Sequence, residues 1–450
     1  MLKRILTVLI AIAMVLSLCA VAGCKNDDGR TQSGVANVQG SDEVEEEYFL
    51  DMPAELKGTT VKFATWIDHA KTDTAICLSG FEETTGMKYE LVHVNQHDYI
   101  QKMSGLIASG QAPDVVVENG DFPKTLNLLQ PLSLETNGLD PKNPFWDQNV
   151  SERFNIGGKY YLVNGARSSW NMVGGMTYYN KSMLEDYGIK TPGDYVYENN
   201  WTVDTMWTLM KQIQSSCELS RPGTSIDFDN WCTLYGGGQM DWDEQNDKFV
   251  NTINKPETVA AIKYLVKGKD EGILRIIDNH DDDIATGKIA LEICGAYGLR
   301  KSPGWFYTMD VEDLGFAVLP KVNKADANYP STSSIRSYGI CKGAKNAKGA
   351  AYFLRYFLNE DHYDIDQIFK NEEAKEMYYE LRKTAQFNLI SFTPGVNKVV
   401  SDLDSPLSTV GDLIDGTESQ VSINLAKSSG EINSAINLAN KVIEDFKKTQ

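Results

Sequence analysis

The chain has 450 residues, 42% of them hydrophobic, and a formal charge of −19. That is enough chain for two or more domains with separate cores, and it excludes a disordered or fibrous protein. Acids are in excess and no stretch gathers Lys and Arg, which excludes nucleic acid as a partner.

Lys3 and Arg4 precede an apolar run, Ile5–Leu18, and then Cys19-Ala20-Val21-Ala22-Gly23-Cys24. This is the order of a secretory leader. Val21-Ala22-Gly23-Cys24 resembles a bacterial lipobox. The sequence therefore predicts a leader over 1–23, lipid on Cys24, and attachment to the outer side of the cell membrane; an uncleaved anchor is the other reading. No later run is long and apolar enough to span a bilayer. Residues 24–57, with Glu45-Glu46-Glu47, lack apolar periodicity and read as a disordered acidic tether. Beyond Cys24 lie Cys77, Cys217, Cys232, Cys294 and Cys341, at no zinc-site spacing. They read as buried small apolar thiols, with a Cys217–Cys232 disulfide as the alternative.

From Thr59 strands and helices alternate. Strands are predicted at Thr60–Thr65, Met87–Val94 and Pro113–Val117, with helices at Asp73–Thr85 and Tyr99–Ser109 stopped by Gly86 and Gly110. A short helix follows near Phe122–Leu129. The order implies a parallel sheet with ligands beyond its carboxyl ends, at Thr65–Asp68 and Glu118–Asp121. Gly157–Pro192 follows, with strands Lys159–Val163 and Met176–Tyr179 around a Gly-, Ser- and Trp-containing connection. It reads as the exit from a first lobe into a second. Thr202 is predicted to cap a helix, with Trp201 packing on Met206. Asp227–Asp243 reads as loop-rich, and Pro256 opens a helix. Strands are expected at Lys288–Cys294, Leu314–Leu319 and Ser337–Cys341, with Ser331–Arg336 a polar loop. Helices are expected at Asn346–Leu358 and along the amphipathic row from Ile432 to Phe446.

Nucleophile elbows, P-loops and dinucleotide fingerprints are missing from the sequence. His93 and His97 fall on a strand-to-loop segment, and His280-Asp281-Asp282-Asp283 reads as helix-start capping rather than a cation site. No metal and no cofactor are expected. The aromatic residues carry more. Trp66, Trp170, Trp231, Tyr235, Tyr297 and Trp305 fall at strand ends or in loops. A flat ring among Asp, Asn and Arg suits a sugar, whose C–H face stacks while its hydroxyls pair.

Several further stretches stand in a familiar order. They include Phe81-Glu82-Glu83-Thr84-Thr85-Gly86, Leu106-Ile107-Ala108-Ser109-Gly110-Gln111-Ala112-Pro113-Asp114-Val115-Val116, and Gly158-Lys159-Tyr160-Tyr161. Tyr178-Tyr179-Asn180-Lys181, Gly188-Ile189-Lys190-Thr191-Pro192, Asn200-Trp201-Thr202, Gly287-Lys288-Ile289-Ala290-Leu291 and Tyr338-Gly339-Ile340 follow. In these the chain resembles the family 1 extracellular solute-binding proteins, the sugar-type receptors of ABC importers. The resemblance implies an α/β, two-lobed, type II periplasmic-binding-protein-like fold, each lobe a mainly parallel sheet flanked by helices. Lobe one is expected over 58–164 with 321–358, and lobe two over 165–320 with 359–450, with Gly165 near a hinge and Tyr178 and Tyr179 in the second core.

The same resemblance implies capture of a carbohydrate in the cleft by hinge closure and delivery to the transmembrane subunits of an ABC permease. No catalysis is expected, and the protein is taken as a monomer. Trp66 matches the family's aromatic after the first strand and Tyr297 the one after the Gly-Lys strand; Arg167, Trp170 and Arg336 fall in segments that often contribute. Asp68, Asn119, Asp121, Trp231, Tyr235 and Trp305 complete the candidate ligand contacts. A departure is Asp281-Asp282-Asp283, where the family often has an aromatic. The alternatives are a receptor for a peptide-like or anionic solute, a secreted glycosidase using paired carboxylates, and a sensor subunit presenting ligand to a membrane kinase.

Overall fold

The structure is a computed structural model. It describes residues 52–69, 74–95, 98–118, 121–166, 172–173, 175–277, 283–299, 306, 309–330, 332–334, 336–363, 369–372, 374–376, 388–390, 413–414 and 416–449. The predicted leader, Cys24 and most of the tether lie outside them.

The strands in chain order are β1 (Thr60–Thr65), β2 (Lys88–His93), β3 (Val115–Glu118), β4 (Asn155–Ile156), β5 (Lys159–Tyr160), β6 (Met172–Val173), β7 (Met176–Asn180) and β8 (Thr224–Asp227). They continue as β9 (Met240–Asp243), β10 (Lys248–Asn251), β11 (Leu274–Ile277), β12 (Leu291–Cys294), β13 (Leu314–Ala317), β14 (Thr332–Ser334), β15 (Ser337–Ile340) and β16 (Asn388–Ile390). Helices of seven or more residues are α1 (Thr74–Thr85), α2 (Tyr99–Ala108), α3 (Val203–Ser216), α4 (Phe228–Leu234), α5 (Pro256–Asp270), α6 (Ala347–Phe357) and α7 (Val421–Lys448).

Lobe one is built on a sheet of order β15-β3-β1-β2. β1 lies parallel to both β2 and β3, as the βαβαβ order requires. β15 returns from far along the chain and pairs antiparallel with β3. Val115–Val117 and Glu118 are buried, as expected of a strand covered on both faces. α1 ends where Gly86 takes φ of 68°, and its amide closes on Glu82 O.

Lobe two has the order β11-β8-β12-β7-β13, with β11, β8 and β12 parallel and β7 antiparallel to β12 and β13. Tyr178 and Tyr179 are buried there, and Tyr178 packs on Phe306 and Phe316 while its hydroxyl donates to Gly295 O. The Thr202 hydroxyl accepts from Thr205 N and caps α3. Trp201 is buried against Tyr195 with its Nε1 donating to Val318 O.

Two predictions change. Asp227–Asp243 is not loop-rich: it holds the end of β8, α4 and β9, because Asp227 caps α4 by accepting from Asn230 N. Ser331–Arg336 is not a plain loop, because Thr332–Ser334 forms β14. The cysteines are buried thiols, as expected: Cys77, Cys217, Cys232, Cys294 and Cys341 are all buried and none forms a disulfide.

Between the lobes the chain passes from Asn164 to β7, returns from β13 to β15, and leaves again after α6. These passages are hydrogen-bonded to one another. β14 pairs antiparallel with β6 and parallel with β16, so a three-stranded sheet takes one strand from each. At the first passage Gly165 is buried, and a Cβ there would run into the carbonyl oxygen of Leu358, which precedes the third. Among the described residues no helix is long and apolar enough to cross a membrane.

Candidate functional site

The carboxyl ends of β1 and β3 and the start of antiparallel β15 lie together at one edge of lobe one. Phe63 is opposite Val115, and Ser337 is opposite Glu118, which brings Trp66, Glu118 and Arg336 to the same end of the sheet. Trp66 is half-buried and follows β1 directly. Its ring meets the Tyr99 ring edge-on, with centroids 5.4 Å apart, and the Arg336 guanidinium carbon stands 5.7 Å from its centroid. Asp68 is exposed beside it, and Arg336 is half-buried.

The turn carrying Trp66 and Asp68 is tied from below by His69. His69 Nδ1 is 2.8 Å from the Thr74 hydroxyl, which itself donates to His69 O; Nδ1 therefore carries the proton. Nε2 then accepts from the Thr65 hydroxyl at 3.2 Å, and Ile67 N donates to the same hydroxyl. The ring stacks on Phe63 and meets Phe357 edge-on. Burial first, and then the charge of Arg336, push the His69 pKa down to about 3, so the imidazole is neutral.

Glu118 ties the second turn. Its Oε1 accepts from Asp121 N at 2.7 Å and from Phe122 N at 3.1 Å, and Oε2 accepts from the Thr125 hydroxyl. The carboxyl is buried, which pushes its pKa up to about 7; the Asp121 charge adds to the rise, and the three hydrogen bonds oppose it. Asp121 is itself buried, 5% exposed, so it lines the floor of this edge rather than its surface.

Arg336 is held through its backbone. Its carbonyl accepts from Asn164 Nδ2 at 2.6 Å, and Val163 and Tyr338 exchange amide hydrogen bonds next to it.

In lobe two the matching edge is formed by the ends of β8 and β12 and the start of β7. Cys294 is opposite Met176, and Gly175 N donates to Asn230 Oδ1 at the start of α4. Of the predicted contacts here, Trp231 is corrected. It is 0% exposed, with its ring packed between Tyr264 and Tyr235 at centroid distances of 4.7 and 5.6 Å, so it is a core side chain. Tyr235 is half-buried against it, and burial raises its pKa. Tyr297 lies in a 3-10 turn, Ala296–Leu299, directly after β12; its side chain is outside the described residues. Asn119, Arg167, Trp170 and Trp305 also lie outside them.

The structure thus joins Trp66, Asp68, Asp121 and Arg336 at one edge, turns Glu118 from a mere strand end into the tie of its turn, and adds two residues that the sequence reading missed: His69 and Asn164. Glu118 carried a signal, a single acid closing an apolar run at a strand end. Asp283 also departs from its expected capping role. Its buried carboxylate accepts from Lys288 Nζ at 2.9 Å, Arg275 at 2.8 Å and Arg221. No cluster of three or more His, Cys, Asp or Glu suited to a metal occurs among the described residues.

The sequence matches the family described as bacterial extracellular solute-binding protein over residues 78–365. No curated protein sequence matches the chain. Among solved structures it is similar to the GacH receptor of Streptomyces glaucescens, solved unliganded and with acarbose. That likeness has 17% identity and a TM-score of 0.57 over 86% of this chain and 99% of that one. It is similar to the sugar-binding protein MalE of Xanthomonas citri, with 13% identity and a TM-score of 0.62 over 86% and 99%. It is also similar to UgpB of Mycobacterium tuberculosis in complex with glycerophosphocholine, with 14% identity and a TM-score of 0.61 over 85% and 99%. At these identities the likeness is one of fold: two lobes of the type II periplasmic-binding-protein class.

Proposed function

Because the chain belongs to the bacterial extracellular solute-binding proteins, we propose that it captures a carbohydrate between its lobes and passes it to an ABC-type import permease without altering it. The observation that carries this reading is the edge of lobe one. There a half-buried indole is presented beside an exposed carboxylate, Asp68, and the guanidinium of Arg336. An indole face takes the C–H face of a sugar ring, while acid and guanidinium take hydroxyls as acceptor and donor. Asn119, Asp121, Arg167, Trp170, Tyr235, Tyr297 and Trp305 remain proposed contacts around the cleft. Closure of the lobes over the ligand is the state that docks on the permease. Cys24 carries the lipid that keeps the protein at the membrane.

Arg336 also favours a second reading, an anionic or phosphodiester solute, as in the UgpB complex. A thermal-shift screen of the Cys24→Ser protein separates the two, since a ligand of the folded state raises the melting temperature. Mono- and oligosaccharides are expected to raise it. A rise with glycerophosphocholine or peptides alone overturns the sugar reading, and turnover of an aryl glycoside overturns the non-catalytic one.

A further inference from the structure

Asn164 is the last residue of lobe one before the first passage, and it is fully buried. Its amide is used at both ends. Nδ2 donates to Arg336 O at 2.6 Å, and Oδ1 accepts from Gly165 N at 2.8 Å. Reversing the amide would set Oδ1 against a carbonyl and Nδ2 against an N–H, so these two bonds fix its orientation. Its own carbonyl accepts from Asp147 N at 2.8 Å, so the backbone that carries the amide is held as well.

The two partners of this side chain differ in kind. Arg336 carries the guanidinium that stands against Trp66. Gly165 is the residue whose close approach to Leu358 O sets the packing of the first passage against the third. Val163 and Tyr338 already join the two backbones by amide hydrogen bonds one residue further from the site. The Asn164 side chain extends that attachment to Arg336 itself.

We infer that Asn164 is a positioning residue: it holds Arg336 against Trp66 from the first passage, so that the ligand-facing edge and the hinge move together. This rests on the reading of Trp66 as the ring on which ligand stacks. A ligand on that ring meets the guanidinium, and a shift of Arg336 is transmitted through the Asn164 amide to the Gly165 backbone. Asn164 touches no ligand, yet it sets both affinity and the coupling of binding to closure.

The first test needs no ligand. Acrylamide quenching of Trp66 fluorescence, taken as the difference between proteins with Trp66 and with Trp66→Phe, reports how well the guanidinium covers the ring. Arg336→Ala, Asn164→Asp and Asn164→Ala are each expected to raise the Trp66 quenching constant about twofold. Combining Asn164→Asp with Arg336→Ala is expected to add nothing. Asn164→Asp keeps the acceptor for Gly165 N and loses only the donor; Asn164→Ala serves if the buried charge prevents folding. An unchanged Trp66 quenching constant in both Asn164 variants overturns the inference, even if the melting temperature falls, because that outcome is a purely structural role. With maltotriose as the probe, Asn164→Ala is expected to lower affinity about tenfold, and not at all in an Arg336→Ala background; equal losses in both backgrounds overturn the inference. If the parent protein binds neither maltotriose nor any other saccharide, the carbohydrate reading fails by itself, and the quenching result still decides the role of Asn164.

Discussion

Tyr99 buttresses Trp66: the two rings meet at 90° with centroids 5.4 Å apart, and the Tyr99 hydroxyl donates to Ala64 O at 3.0 Å while accepting from Val117 N at 3.2 Å. One buried side chain therefore joins β1 to β3 and supports the ring that follows β1. Tyr99→Phe leaves the Val117 N–H without its acceptor in a buried strand. The expected cost is about 1–3 kcal/mol, read as a lower urea midpoint with an unchanged slope. Saccharide affinity is expected to change little, because the edge contact with Trp66 is retained. Tyr99→Ala removes that contact and is expected to weaken binding about tenfold.

Glu118 and His69 give stability opposite pH dependences. The Glu118 pKa is raised from 4.5 to about 7, so between these values the folded state binds more protons than the unfolded one. Its contribution is best below pH 4.5 and is lost as pH rises through about 7. The His69 pKa is lowered from 6.5 to about 3, so below pH 6.5 the unfolded state binds more protons. Its contribution is complete above pH 6.5 and is lost as pH falls toward 3. Glu118→Gln keeps an acceptor for the two amides and is expected to flatten the decline above pH 4.5. Urea melts at pH 5 and pH 8 check this: stability at pH 8 relative to pH 5 should be higher in the variant than in the parent, and an unchanged difference contradicts it.

Asp283 gathers three cations on one buried carboxylate, 2% exposed as a residue. Asp283→Asn leaves Arg221, Arg275 and Lys288 facing one another without that charge. Removing one partner from a buried ion cluster costs about 3–5 kcal/mol, and the partial exposure of Arg221 and Lys288 puts the expectation at the lower end. Its effect is confined to lobe two. Thermal unfolding is expected to show the loss, and saccharide affinity measured at 25 °C is expected to be unchanged.

Gly165→Ala sets a Cβ against the Leu358 carbonyl. The first passage has to draw away from the third, at about 1–3 kcal/mol for an overpacked site. The expected result is a protein that folds with a lower melting temperature and closes less completely on saccharide. Small-angle scattering checks it: the fall in radius of gyration on adding saccharide should be smaller than in the parent.

The sequence was most informative where a rule is local. The β1-α1-β2-α2-β3 order, the Thr202 cap, the Pro256 helix start and the burial of Trp201 all follow from spacing and turn chemistry within a few residues. It was least informative where the deciding partner is remote. Trp231 reads like a ligand-facing aromatic because it falls in a stretch that looks like loop, yet Tyr264, from another helix, covers its ring. Ser331–Arg336 is polar and reads as loop, but β6 and β16 recruit it into a sheet. His69 and Asn164 act through bonds to Thr74 and Arg336, and the second of these spans a separation of 172 residues.

β15 completes the lobe-one sheet by pairing Ile340 with Val115. A ribosome must therefore have passed Ile340 before the strand that follows α2 gains its second neighbour. Until then the buried valines of β3 have one open edge, and the chain emerging ahead of that point cannot lock into a finished lobe. Such delayed closure suits a polypeptide that has to be threaded through a translocation pore before it folds, because the last piece of its first half is among the later parts to be made.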